Sequence, residues 1–184
     1  ADLAGKYDTT GTERAFSTYD NRDITVSGGN YGWVIDQQKE ADALYKDITE
    51  KKTEVREPIY EQEAASRKIN DIGYSYIEID LSAQRMVLYQ SGSPVVDTGL
   101  VADSSTLTGV YALGEKESSA VPGGRDGETV DFWMPFTDKT GIYGKAGLDV
   151  TGYDFSDDAD IAAFGSDDES SGTSVFSDSW PGIE

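Results

Sequence analysis

The stretch Ile77-Glu78-Ile79-Asp80-Leu81-Ser82-Ala83-Gln84-Arg85-Met86-Val87-Leu88-Tyr89 decides the fold. Ser75, Ile77, Ile79 and Leu81 fall on one face of an extended chain, and Tyr76, Glu78 and Asp80 on the other. A period of two with one apolar face marks a half-buried strand. Residues 81–84 can turn the chain, and residues 85–90 return with a second alternation of Met86 and Leu88 against Val87 and Tyr89. The pair therefore reads as a β-hairpin. Ser91-Gly92-Ser93-Pro94 breaks the return strand, and residues 94–101 begin a third. Glu78 and Asp80 share a strand face, which raises glycosidase-type acid/base chemistry. The simpler expectation is that they lie on an exposed strand face.

Working outward from the hairpin, residues 74–136 are short strands separated by Gly, Ser, Pro and Asp turns. Val110-Tyr111-Ala112-Leu113-Gly114 is one strand, and Val130-Asp131-Phe132-Trp133-Met134-Pro135-Phe136 a bulkier one. Pro122-Gly123-Gly124-Arg125-Asp126-Gly127 between them reads as a flexible loop. On the second strand Trp133 and Met134 alternate, so one should face the core and the other a groove. Toward the N-terminus, residues 15–19 and 24–26 read as strands joined by an Asp20-Asn21-Arg22-Asp23 turn. Ser27-Gly28-Gly29-Asn30 is a second turn, before an extended 31–35. Asp36 is placed to N-cap a helix, in which Ala41, Leu44, Tyr45 and Ile48 form one apolar face through about Lys51. Residues 61–73 are polar and read as a connection, with a domain boundary near Asn70-Asp71.

The chain of 184 residues is long enough for one domain with a good core or for two small ones. Fifteen basic against 35 acidic residues give a formal net charge of -20, a surface that repels nucleic acid and anionic membranes. No apolar run approaches the length of a membrane span. The chain opens on Ala1 with no signal-peptide pattern, as expected of a processed or truncated form. It contains no cysteine and no histidine. That excludes thiol nucleophiles, disulfides, thiolate metal sites and cysteine-held iron–sulfur clusters within these residues, and removes the commonest general base. No cofactor or metal is expected. Asp154, Asp157, Asp158, Asp160, Asp167, Asp168 and Glu169 lack the spacing of a calcium loop and read as a solvated acidic segment.

Six stretches in one order resemble one family. "FSTYDNRDITVSGGNYGWVI" at 16–35 is similar to the end of the peptidoglycan-binding-like domain that precedes the catalytic domain in many Gram-positive L,D-transpeptidases. "REPIYEQEAASR" at 56–67, followed by "NDIG" at 70–73, resembles the link between the two domains. "YIEIDLSAQRMVLY" at 76–89 is similar to the first hairpin of the catalytic domain. "STLTGVY" at 105–111 resembles the family's Thr-Pro-x-Gly-x-Tyr turn with Leu107 in place of proline, and "VDFWMPF" at 130–136 and "GIYG" at 141–144 follow in order. The resemblance implies an α+β fold: a small α/β segment over residues 1–70, then a β-rich L,D-transpeptidase-like domain over 71–184. It implies a partner in the cell wall, the peptidoglycan stem peptide or another wall component, and an extracytoplasmic location.

The family's chemistry is acyl transfer through a cysteine thiolate activated by histidine, within a Ser-His-Gly-Cys-x-Asn signature, and with a further histidine in an earlier Gly-Ile-His stretch. Here that earlier position is Tyr143. Laid on the signature, residues 179–184 put Trp180 at the histidine and Gly182 at the cysteine. The resemblance therefore implies a degenerate, non-catalytic homologue; the alternative is an active L,D-transpeptidase whose signature lies beyond Glu184. In either case it places Trp133, Met134 and Tyr143 beside the stem-peptide cleft as substrate-binding residues, with no catalytic residue among these 184.

Overall fold

The computed structural model describes residues 2–102, 106, 108–121, 129–138 and 140–144, and the backbone of 173–177. Two short helices and twelve strands run in the order α1 (Asp2–Tyr7), β1 (Arg14–Ser17), β2 (Asp23–Val26), β3 (Val34–Ile35), α2 (Gln37–Thr49), β4 (Tyr60–Gln62), β5 (Tyr76–Asp80), β6 (Arg85–Gln90), β7 (Ser93–Gly99), β8 (Val110–Ala112), β9 (Glu117–Ala120), β10 (Val130–Pro135), β11 (Gly141–Gly144) and β12 (Thr173–Ser177). The architecture is α+β and rich in strands.

The hairpin read from the sequence is β5–β6, antiparallel from Tyr76 opposite Tyr89 to Asp80 opposite Arg85. Gln84 takes a left-handed φ of 50° in its turn. The hairpin sits within a five-stranded sheet of order β7-β6-β5-β12-β8, in which β12 runs antiparallel to β5 and parallel to β8. A three-stranded sheet, β11-β10-β9, faces it. Ile77, Ile79 and Leu81 from the first sheet and Met134, Phe136 and Ile142 from the second meet Tyr111 in the main core cluster. The inward-facing half of the sequence alternation is therefore a sheet-on-sheet core.

The other half is also buried. Glu78 and Asp80 are each 1% exposed, which corrects the expectation of an exposed strand face. What covers them is the β1–β2 hairpin from the N-terminal segment. Its turn falls at the expected place, with Asn21 at φ 63° and the Thr18 amide donating to the Arg22 carbonyl. Phe16 packs edge-on against Tyr76 at 5.7 Å, and a second cluster joins Phe16, Val26 and Tyr31 to Ala64, Ile72 and Val110. The boundary proposed near residue 70 thus crosses a shared apolar cluster.

The polar connection over residues 61–73 is more firmly held than its composition implies. Arg14 is buried and donates to the carbonyls of Thr9, Thr12 and Tyr31 and to Asp71 Oδ2 at 3.0 Å. The Tyr31 hydroxyl accepts from the Ala65 amide at 2.7 Å and donates to the Asp71 carbonyl at 3.2 Å. Gly29 pins the second turn of the sequence reading to β8. A Cβ there would stand 1.9 Å from the Val110 carbonyl oxygen, and its φ is +85°. Only glycine fits both constraints.

Helix α2 begins where Asp36 predicts, with the Lys39 amide donating to Asp36 Oδ1 at 2.9 Å. Its apolar stripe behaves otherwise. Leu44, Tyr45 and Ile48 are 43%, 72% and 74% exposed. The helix leans on residues 54–59 through polar groups, Glu40 accepting from Arg56 and from the Ile59 amide. The sequence pattern named an amphipathic helix correctly, but among the described residues no apolar surface covers that stripe. The expected flexible loop at 122–127, the acidic segment at 154–169 and the signature-like 179–184 lie outside the described residues.

Substituting Asp71→Ala would strand a buried guanidinium, and breaking such a pair costs about 3–5 kcal/mol. Urea unfolding of the variant is expected to show a loss of that size. A loss below about 1 kcal/mol, the value of a surface ion pair, would show that the pair does not hold the seam.

Candidate functional site

Strands β10 and β11 bring two of the three sequence-predicted ligand contacts together. Trp133 is the register partner of Tyr143, and their ring centroids lie 6.4 Å apart. Both project from one face of the pair, because opposed residues on antiparallel strands share a face. Met134, next along the strand, points the other way with its partner Ile142 and packs into the main core. Trp133 is 7% exposed and forms a satellite cluster with Ala120 and Val130, against which Tyr143 packs half-buried. The result is a two-ring aromatic wall whose Trp133 ring is itself part of the core, so the expectation that one of Trp133 and Met134 faces a groove fails: each is 7% exposed, and Tyr143 holds the more open position.

Small residues make that wall possible. A Cβ on Gly141 would come within 2.7 Å of the Trp133 indole, and one on Gly144 within 2.3 Å of the Phe132 ring. Both glycines belong to the Gly-Ile-Tyr-Gly stretch, so aromatic rings on β10 and glycines on β11 are one packing unit. The N-terminal segment also reaches this sheet. The Asn30 amide donates to the Phe136 carbonyl at 3.1 Å and its Oδ1 accepts from the Ala112 amide at 2.9 Å. One side chain thereby ties β8 to the end of β10. The sequence reading treated Asn30 only as a turn residue, and nothing local signals its partners 82 and 106 residues away.

The carboxylates of β5 are structural. The Tyr19 amide donates to both oxygens of Glu78, at 2.9 and 3.1 Å, and Arg22 pairs with Asp80. Asp80 Oδ1 also accepts from the Ser82 hydroxyl at 2.7 Å and the Ala83 amide at 2.9 Å, which closes the hairpin turn. Covered on both sides, neither carboxylate reaches a substrate, so the glycosidase reading of the pair fails. Burial pushes the Glu78 carboxyl up to about 7; the Tyr19 amide pulls it down, and Asp20 and Asp80 add to the rise. Among the described residues no cluster of three or more carboxylates or other metal-ligating side chains could hold a metal ion.

With this geometry in view, comparison with known proteins is direct. Residues 1–56 match the family described as a putative peptidoglycan binding domain. A crystal structure of a cysteine-to-serine mutant of the Enterococcus faecium L,D-transpeptidase aligns with a TM-score of 0.64 and 29% identity, over 80% of this chain and 62% of that one. The Ldtfm–avibactam carbamoyl enzyme aligns with a TM-score of 0.63 and 30% identity, over 80% of this chain and 61% of that one. The fold is L,D-transpeptidase-like. It spans less than two thirds of the length of either solved relative, and no curated protein matches it. Within this chain, cysteine and histidine are absent from the whole sequence, and an aromatic pair occupies the β10–β11 face.

The raised Glu78 carboxyl makes stability pH-dependent with a definite sign. Its folded value, about 7, lies above the ordinary 4.5, so the folded state holds the proton more tightly than the unfolded state. Stability from this group is full below pH 4.5 and is lost as pH rises to about 7, by roughly 3 kcal/mol in all. Urea midpoints for Glu78→Gln are therefore expected to gain on wild type between pH 5 and pH 8. A difference between the two proteins that stays constant across that window would contradict the assignment.

Proposed function

We propose that this chain is a non-catalytic L,D-transpeptidase-like protein of the cell wall, extracytoplasmic, that binds peptidoglycan through a retained peptide groove. One observation carries the reading: Tyr143 stands in the Gly-Ile-Tyr-Gly stretch, on a well-formed strand, where the family resemblance expects histidine. With no cysteine or histidine in the sequence, a serine or threonine here has no imidazole base to activate it. Binding and chemistry use partly different groups, so loss of the nucleophile need not empty the groove. The half-buried Tyr143 supplies the ring and the hydroxyl for a stem peptide, while Trp133 supports that ring from within the core and Met134 backs the strand.

The second reading is an active L,D-transpeptidase whose nucleophile lies outside these residues. It is favoured by coverage, since 62% of the first solved relative is matched and the rest of that chain has no counterpart here.

The net charge of -20 opposes a stem peptide bearing carboxylates, the more so at low salt. A stem tetrapeptide is therefore expected to bind with a Kd on the order of millimolar, about 4 kcal/mol, and to bind more tightly as salt is raised. Titration followed by Trp fluorescence, with Tyr143→Ala losing the saturable change, tests the groove. No saturable change in wild type at any salt would remove it. Avibactam treatment followed by intact mass measurement tests the chemistry. An unmodified mass is expected, and a stoichiometric adduct would establish the second reading.

A further inference from the structure

A cleft of about 690 Å³ lies at the seam between the β1–β2 hairpin and the start of β5, away from the β10–β11 wall. Its size falls within the usual range of small-molecule sites, about 300–1,000 Å³. Phe16, Ser17, Asp23, Ile69, Tyr74 and Tyr76 contribute to its lining. Tyr74 is 64% exposed, and its backbone is anchored. Its carbonyl accepts from the Gly92 amide at 2.7 Å, and Gly92 backs the ring.

The chemistry of the lining selects a ligand class. No lysine or arginine lines the cleft, and Asp23 is its single acid. With a chain charge of -20, an anionic ligand is disfavoured here. The Ser17 hydroxyl donates to Asp23 Oδ1 and the Asn70 amide to the Ala15 carbonyl, which leaves Asp23 Oδ2, Asn70 Oδ1 and the Tyr74 hydroxyl suited to sugar hydroxyl and amide groups. The exposed ring of Tyr74 and the side chain of Ile69 are suited to the apolar faces of pyranose rings and to acetamido methyl groups, whereas the Tyr76 ring is stacked on Tyr89 and packed edge-on by Phe16. Consecutive non-glycine residues with left-handed backbone, Asn70 at φ 50° and Asp71 at φ 64°, shape the margin. Such conformations are costly and persist where surrounding contacts impose them. Here Asn70 donates to the Ala15 carbonyl and Asp71 pairs with Arg14.

We propose that this cleft binds an uncharged N-acetylated amino-sugar oligosaccharide, the glycan face of peptidoglycan, with Tyr74 as its stacking platform. The site straddles the matched peptidoglycan-binding segment, which supplies residues 15–24, and the transpeptidase-like sheet, which supplies residues 69–76. The inference rests on the cell-wall reading above, but it assigns the glycan strand to a different surface from the stem peptide.

Isothermal titration of the full chain with an N-acetylglucosamine tetramer tests it. Saturable binding is expected, equal at low and high salt because the ligand carries no charge. Tyr74→Ala should weaken it at least about fivefold, a loss of about 1 kcal/mol. Tyr74→Phe should retain it, since the ring remains, and Tyr45→Ala, on the exposed face of α2, should leave it unchanged. Because Tyr74 is largely exposed, its replacement does not threaten the fold. No binding by wild type, or equal binding by Tyr74→Ala, would overturn the proposal. Stem-peptide titration of the same samples reports separately on the groove, so failure of one reading is distinguishable from failure of the other.

Discussion

A backbone amide and a guanidinium, both from the β1–β2 hairpin, satisfy two carboxylates on the central strand of the main sheet. Tyr19 donates to Glu78 and Arg22 pairs with Asp80. Burying two acids side by side is costly unless each is hydrogen-bonded or paired, so the sheet depends on the N-terminal segment to cover and satisfy them. The dependence is mutual. Phe16, Val26 and Tyr31 gain a core only by packing on Ile72 and Val110. Further seam contacts, among them Arg14 with Asp71 and Asn30 with Phe136 and Ala112, extend the same attachment from one sheet to the other. The wall of Trp133 and Tyr143 is therefore positioned partly by residues that precede it by more than a hundred positions.

Local pattern was enough to recover the strands with clear alternation, but not β4, β9 or β12, whose polar residues carry no such signal. The alternation around Ile77, Ile79 and Leu81 located β5, and Asp20-Asn21-Arg22-Asp23 located the turn of the first hairpin. Asp36 located the helix start, because capping is a local hydrogen bond. What the pattern misassigned was the outward face of β5. A polar face reads as solvent-facing, and the group that covers Glu78 is a backbone amide 59 residues away, which has no side-chain signature. The same holds for Asp71, whose buried partner Arg14 is 57 residues distant. The helix failed in the opposite sense, since Leu44, Tyr45 and Ile48 follow core spacing yet face outward.

At the candidate site the sequence could place Trp133 and Met134 on opposite faces of a strand, but not say what each face meets. The structure puts Met134 in the core with Ile142 and sets Trp133 beside Tyr143. Strand register decided this, and register comes from pairing that no single strand encodes. Gly141 and Gly144 were legible as part of a family stretch; their physical role, making room for the rings of β10, needed the packed structure.

For this L,D-transpeptidase-like fold, with its match to a putative peptidoglycan binding domain, the proposed function is attachment to the wall without chemistry upon it. Incubation of the chain with purified sacculi, followed by sedimentation and mass analysis of the peptides released from the pellet, tests that claim most directly. The account predicts that the protein sediments with the sacculi and that the peptide cross-links are unchanged. Protein left in the supernatant, or new cross-links in the pellet, would contradict it.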